Sequence, residues 1–243
     1  MTPTHKLEAE SLAQWLQSTG GTQFVTLERS QISQALPGLI GYRLLQVGRW
    51  GLDDSLYQTS HMLQHWVVGL DHETSVHFHC DGQTLPIASR SVDVVLMPHS
   101  LERAASPHRL LRDVERVLCA HGQVIVSGFN PWGLWAAGQR MPPWGKAHYP
   151  VASRFYTLNR VRDWLELLDF EIVEVRRFGL YFPRLQNVSG PEALRRLLGP
   201  LSQAYQIQAR KRVVPLTPLR PRWQRPTVVA PAALPEARVH RVR

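Results

Sequence analysis

A chain of 243 residues with 44% hydrophobic content is long enough for one large domain, or a domain with a tail, and too apolar for wholesale disorder. Its polar start, "MTPTHKLEAE", does not read as a secretory signal, and no apolar run approaches the roughly 18–20 residues of a membrane helix. Cys80 and Cys119, with no CxxC pair, exclude a disulfide framework and point to a reducing cytoplasm. The formal charge of +9 is uneven: from Arg210 to Arg243 there are nine Lys and Arg against Glu236 alone, so the basic balance describes a tail and not the body.

In chain order, "LEAESLAQWLQST" (7–19) has Leu7, Leu12, Trp15 and Leu16 at helical spacing, with Gly20-Gly21 as the expected stop. "YRLLQVG" (42–48) reads as a buried strand entering a tight turn. A short helix is expected at 55–64, then strands at "HWVVGLD" (65–71), "SVHFHCD" (75–81) and "SVDVVLMP" (91–98). "SPHRLLRDVERVLCAHG" (106–122) is the clearest helix, with Ser106 to cap it, Pro107 at its first position and Gly122 to end it. A strand at "QVIVSGF" (123–129), a helix at 157–169 and strands at 170–178 and 204–212 complete the folded part. Beyond it, residues 213–243 carry six prolines and basic clusters, the composition of extended, unpacked chain.

Val- and Leu-rich strands alternating with helical segments indicate an open α/β sheet with helices on both faces. In such sheets ligands bind at the C-terminal ends of the strands, which puts the loops after Val47, Leu70, Cys80 and Met97 on one rim.

The stretch "DGQTLPIASRSVDVVLMPHSLE" (81–102) closely resembles the third-strand to fourth-strand block of class I S-adenosylmethionine-dependent methyltransferases of the type-11 group. "SPHRLLRDVERVLCAHGQVIV" resembles the helix and fifth strand that follow it. "GFNPWGLW" (128–135) is similar to a bacterial branch of that group. The resemblance spans residues 40–212, and 81–126 is its specific part. It implies a Rossmann-like, mostly parallel seven-stranded sheet whose last strand, 204–212, runs antiparallel. The implied division is an N-terminal helical segment (1–40), a methyltransferase-like domain (41–212) and a basic Pro-rich tail (213–243).

The resemblance also implies S-adenosylmethionine as cofactor. Position by position, Gly48 takes the first glycine of the loop, Asp71 the ribose-binding acid and Asp81, before Gly82, the adenine-side acid. Pro98 and His99 fall where the fourth strand opens onto the methyl-transfer cleft. Two departures stand out. Gln46 replaces the acid before the first glycine, and Trp50 occupies the central glycine position, with Gly51 one place later. The cofactor-binding set expected from sequence is therefore Gln46, Gly48, Trp50, Gly51, Asp71, Asp81, Gly82, Pro98 and His99. No catalytic residue is assigned, because the sulfonium is already activated.

Several residues have two readings. Asp81 either contacts the cofactor or forms a turn with Gly82, and Asp71 either binds ribose or is a surface turn residue. His99 is either a general base or a helix-start residue. Asp93 reads as structural. His77 and His79 alternate on one strand without a third ligand, so no metal is assigned. Asn130-Pro131 reads as a turn, since the Asn-Pro-Pro-aromatic motif of amino-methylating DNA enzymes follows the fourth strand and not the fifth. The aromatic, Pro-rich segment at 132–135 and 141–150 suits a substrate lid.

Three functions follow. One is a methyltransferase acting on a small or lipid-like acceptor, with RNA behind it. The second is an inactive methyltransferase-like binding or regulatory protein with Trp50 in the pocket. The third is a nucleic-acid-binding module acting through the tail.

Overall fold

The computed structural model describes residues 15–50, 60–70, 76–80, 84–133, 154–179 and 199–213. The chain divides into two compact units, Met1–Val213 and Val214–Arg243. The second lies wholly outside the described residues, as do the expected lid at 141–150 and the Pro-rich tail beyond Val213.

In order, the elements are α1 (Thr19–Ala35), β1 (Arg43–Val47), β2 (Gln64–Leu70), β3 (Phe78–Cys80), β4 (Val92–Pro98), α2 (Ser100–Arg103), α3 (Pro107–Val117), β5 (Leu118–Phe129), α4 (Leu158–Leu167), β6 (Phe170–Phe178) and β7 (Ala204–Lys211). The seven strands form one sheet in the order β3-β2-β1-β4-β5-β7-β6. The first five are parallel, and β7 inserts antiparallel between β5 and β6. All five parallel strands therefore end on one rim, as the sequence pattern requires.

Because successive side chains on a strand point to opposite faces, adjacent apolar residues divide between two cores. Leu45, Val47, Val95, Met97, Val124 and Val126 pack beneath α3 and α4. Leu44, Val94, Leu96 and Ile125 pack instead with Trp15, Phe24 and Ile32, so the N-terminal helix covers the second face.

Two helix boundaries differ from expectation. The first expected helix ends at Gln17, and Gly20-Gly21 open the next helix instead of stopping the first. Ser18 caps α1 by accepting from the Gly21 N–H at 3.2 Å. A Cβ on Gly21 would lie 2.0 Å from the Trp15 carbonyl oxygen, so the chain's close return past Trp15 demands glycine there.

Likewise α3 ends at Val117 and not at Gly122, because Leu118 already pairs with Val92 as the first residue of β5. Gly122 sits inside that strand, where a side chain would press on Leu118 and on the Asp93 carbonyl at 3.0 and 3.1 Å. Pro107 takes the first turn of α3 as expected, but the Ser106 side chain makes no capping bond. Thr157, by contrast, caps α4. Of the short helix expected at 55–64, only residues 60–64 are described, and they are non-helical, with Gln64 opening β2.

Asp93 is structural, as its position suggested. Its Oδ2 accepts from the backbone N–H groups of Tyr42 and Arg43 at 2.8 and 2.9 Å, which anchors the start of β1 to the start of β4. Asn130 likewise holds its turn, donating through Nδ2 to the Pro200 and Ser202 carbonyls and accepting from the Trp132 N–H.

Replacing Asp93 with alanine leaves two strand-end donors without their acceptor. We expect Asp93→Ala to lower the unfolding free energy by about 2–3 kcal/mol, read as a lower urea midpoint at unchanged slope.

Candidate active site at the strand rim

The site begins where β1 ends. Gly48 takes a left-handed conformation (φ 77°) and donates its N–H to the Val68 carbonyl at 2.7 Å. A Cβ there would face Leu70, Arg103 and Ser100 at 3.2 to 3.4 Å, so glycine satisfies both backbone shape and space. Gln46 is buried, and its Nε2 donates to the Gly48 carbonyl at 3.0 Å. The amide therefore braces the turn from inside, which the usual carboxylate could not do by donation.

Across the rim, the Ser100 hydroxyl donates to the Val47 carbonyl, and the Arg103 guanidinium donates to the Arg49 carbonyl at 2.9 Å. These bonds tie the β1 turn to α2.

Trp50 does not point into solvent. It is 1% exposed and joins the core formed with α1. Its ring lies 4.1 Å from the His99 ring, centroid to centroid, and the Phe129 ring lies 4.0 Å from His99 as well. Phe24 of α1 packs on the same group, 5.9 Å from His99 and stacked on Phe129 at 5.3 Å.

His99 follows Pro98, the last residue of β4, in a left-handed conformation (φ 51°) that non-glycine residues seldom adopt. Its N–H reaches the Ser127 carbonyl at 3.1 Å, which carries the chain from the strand end into α2. Both ring nitrogens meet carboxylates. Nδ1 lies 3.0 Å from Glu102, and Nε2 lies 3.3 Å from Glu28 of α1. All three side chains are buried. Glu102 accepts through its other oxygen from the Phe129 N–H at 2.6 Å.

Burial disfavours a charged imidazole, but the fields of Glu28 and Glu102 outweigh it and raise the His99 pKa to about 9. Burial also pushes the Glu102 carboxyl up, against the His99 cation and the Phe129 N–H. At neutral pH the His99 ring is charged and paired with the two acids, with the Trp50 and Phe129 rings, 6.1 Å from each other, packed on adjacent sides of it.

Of the residues expected from sequence, Gln46, Gly48, Trp50, Pro98 and His99 come together on this rim. Gly51, Asp71, Asp81 and Gly82 lie outside the described residues. Among the described residues, no group of His, Cys, Asp and Glu has the arrangement of a metal site. Sequence reading missed Glu28, Glu102, Ser100, Arg103 and Phe129. A signal for Glu28 was present: Phe24, Glu28 and Ile32 are spaced by four, which sets an acid on the buried stripe of a helix. An acid there needs a cationic partner, but nothing in the spacing says which.

Strand order, the left-handed glycine after β1 and the dense post-β4 turn together define a Rossmann-like methyltransferase fold. Residues 56–126 match the family model described as a methyltransferase domain. The uncharacterized protein YafS of Escherichia coli (strain K12) is 35% identical over 193 residues, covering 79% of this chain and 77% of that protein. Among solved structures, a Thermotoga maritima S-adenosylmethionine-dependent methyltransferase, described as a possible histamine N-methyltransferase, aligns with a TM-score of 0.56 at 16% identity. That alignment covers 76% of this chain and 89% of the other. The [4+2]-cyclase SpnF aligns at 0.53 and 17%, over 76% and 80% of the two chains. At those identities the structural matches speak for the fold. The chain belongs to the class I S-adenosylmethionine-dependent methyltransferases of the type-11 group, and is an enzyme of the methyltransferase class.

Removing one carboxylate from the cluster leaves a buried cation half-compensated and the Phe129 N–H without an acceptor. We expect Glu102→Ala to cost about 3–5 kcal/mol of stability, measured by denaturant unfolding at pH 7. The His99 pKa is raised above its unfolded value of 6.5, so its contribution is complete below pH 6.5 and is lost as pH rises through about 9. Wild-type stability followed by thermal unfolding should therefore fall across that interval, and a His99→Gln variant should lack this fall.

Proposed function

We propose that the enzyme binds S-adenosylmethionine along the ends of β1 to β4 and transfers its methyl group to a small-molecule or lipid-like acceptor. The single observation that carries this reading is the glycine turn at Gly48, braced by Gln46, Ser100 and Arg103 and opening beside the His99 cluster. The residues present suit the cofactor. A side chain at Gly48 would crowd Leu70, Arg103 and Ser100, and among the described residues the buried Trp50 Nε1 has no hydrogen-bond partner. Gln46 and Gly48 would hold the methionine end. Asp71 and Asp81, following β2 and β3 in the sequence, would meet ribose and adenine.

The bound cofactor would supply an electrophilic methyl group already activated by its sulfonium. What remains for the chain is to orient the two reactants and exclude water. Trp50, Phe129 and Phe24 form dry walls there, and His99 and Glu102 fix the turn that leads from β4.

On the same rim, past β5, a cavity of about 370 Å³ is lined by Asn130, Trp132, Asn159, Arg177 and Tyr205 among others. Its size suits a small acceptor, with Trp132 as an apolar face and Arg177 as a cation. An RNA acceptor ranks behind, its support being the basic stretch 210–243, with nine Lys and Arg against one Glu. A cytoplasmic setting fits the two unpaired cysteines; no described helix is long and apolar enough to cross a membrane.

Calorimetric titration tests the cofactor assignment. S-adenosylmethionine and its demethylated product should each bind with a Kd on the order of micromolar, and Asp81→Ala should weaken both by at least about tenfold. Absence of heat and of thermal stabilisation at millimolar ligand would overturn the reading. Tighter binding by Trp50→Gly would mark the indole as an obstruction and favour an inactive, protein-binding role.

A further inference from the structure

The His99 cluster joins four parts of the molecule that sequence places far apart. Glu28 comes from α1, Glu102 from α2, Trp50 from the β1 turn and Phe129 from the end of β5. Only Glu28 lies outside the sheet and its rim. Its carboxylate lies 3.3 Å from His99 Nε2, and it is fully buried although glutamate is among the residues least often buried. A buried carboxylate without a cation opposite it is strongly unfavourable, so a charged His99 favours this placement of Glu28 on α1. The charged ring, in turn, lies 4.1 Å from the Trp50 ring and 4.0 Å from the Phe129 ring, which are themselves 6.1 Å apart, so two aromatic rings meet it on adjacent sides and attract a cation.

We propose that Glu28 is a positioning residue of the cofactor site: it acts through His99 to hold Trp50, and with Trp50 the Gly48–Trp50 turn, in the cofactor-binding arrangement. The chain of contacts is short and complete. Glu28 fixes the proton on His99, the His99 cation fixes the Trp50 ring, and Trp50 sits two residues past the glycine whose backbone shape makes the cradle. The N-terminal helix is then part of the active rim and not merely a cover for one sheet face. The proposal rests on the cofactor reading of that rim.

The charged surroundings of His99 are limited. Glu28 faces it from α1 and Glu102 from α2. The β1 turn and β5 present Trp50 and Phe129, which do not titrate. Tyr205 of β7 faces Glu102, and burial first, then the Glu102 charge, pushes its phenol well above the usual range, so it stays neutral. Arg103 is turned away toward the Arg49 carbonyl. Protonation of this one imidazole therefore bears on how the Trp50 end of the turn is held, beyond the Gln46, Ser100 and Arg103 bonds.

The test combines two readouts on the full chain. His99 ring nitrogens are followed by NMR from pH 5 to 10 in the wild type, Glu28→Gln and Glu28→Asp. Binding of S-adenosylhomocysteine, the probe, is measured over the same range by calorimetry. In the wild type the His99 midpoint should lie near 9, and probe affinity should fall by about fivefold or more as pH passes through it. Glu28→Gln should move both midpoints down together toward the ordinary histidine range, and Glu28→Asp, which keeps the charge, should restore most of the shift. A purely structural role would lower stability without moving the pH midpoint of binding.

A wild-type midpoint in the ordinary histidine range overturns the proposal. So does a His99 midpoint that moves in Glu28→Gln while probe affinity and its pH profile stay put. If Glu28→Gln fails to fold, the wild-type profiles and Glu28→Asp still decide. If the wild type binds no probe at any pH while His99 titrates near 9, the cofactor reading has failed and the ion cluster has not, so the two failures are distinguishable.

Discussion

The structure depends on one buried cation. His99 sits at the end of β4, in the middle of the sheet, in a strained backbone conformation, with a carboxylate near each ring nitrogen and two aromatic rings packed against it. Three ionisable groups inside a protein are stable only as a matched set, since desolvation penalises any one of them left alone. This requirement forces α1, α2, the β1 turn and β5 to meet at one point. Apolar packing alone would allow them to slide, because hydrophobic contact is not directional.

The sheet provides the frame for that point. Five parallel strands bring every loop that follows them to the same rim, and the antiparallel β7 fills the gap between β5 and the edge strand β6. The two cores divide the work. One, beneath α3 and α4, is built from apolar strand residues and holds those helices against the sheet. The other, beneath α1, mixes apolar strand residues with the buried Gln206 and Ser127, and takes in Glu28 and His99 at the rim.

The β1 turn shows how a family pattern can change while its geometry survives. Gln46 stands where an acid is usual, and it uses its amide to donate inward to the Gly48 carbonyl. Trp50 stands where a glycine is usual, and it finds a place against His99 and Phe129 instead of in open space. The left-handed Gly48, which no side chain could replace without strain, is kept. The SpnF match, a cyclase of the same architecture, shows that this fold does not by itself settle the reaction, which depends on what the rim presents.

Much of this was legible in the sequence. Alternating strands and helices specified the sheet, because burial on both faces leaves a Val- and Leu-rich signature that few other arrangements produce. The strands at 91–98 and 170–178 were placed within a residue, and Gly48, Pro98 and His99 followed from their positions after strands. Helix ends were less legible. Gly20-Gly21 and Gly122 read locally as stops, yet Gly21 answers to the chain's return past Trp15, and Gly122 to crowding by Leu118 and by Asp93 of the neighbouring strand.

Partnership was not legible at all. The sequence set an acid at Glu28 on the buried stripe of a helix, and a histidine at the end of β4. Only the tertiary structure brought residues 28, 99 and 102 within an ion-pair distance. Local propensity fixes the period and face of each element, whereas a buried charge is decided by what lies opposite it, and that is a property of packing.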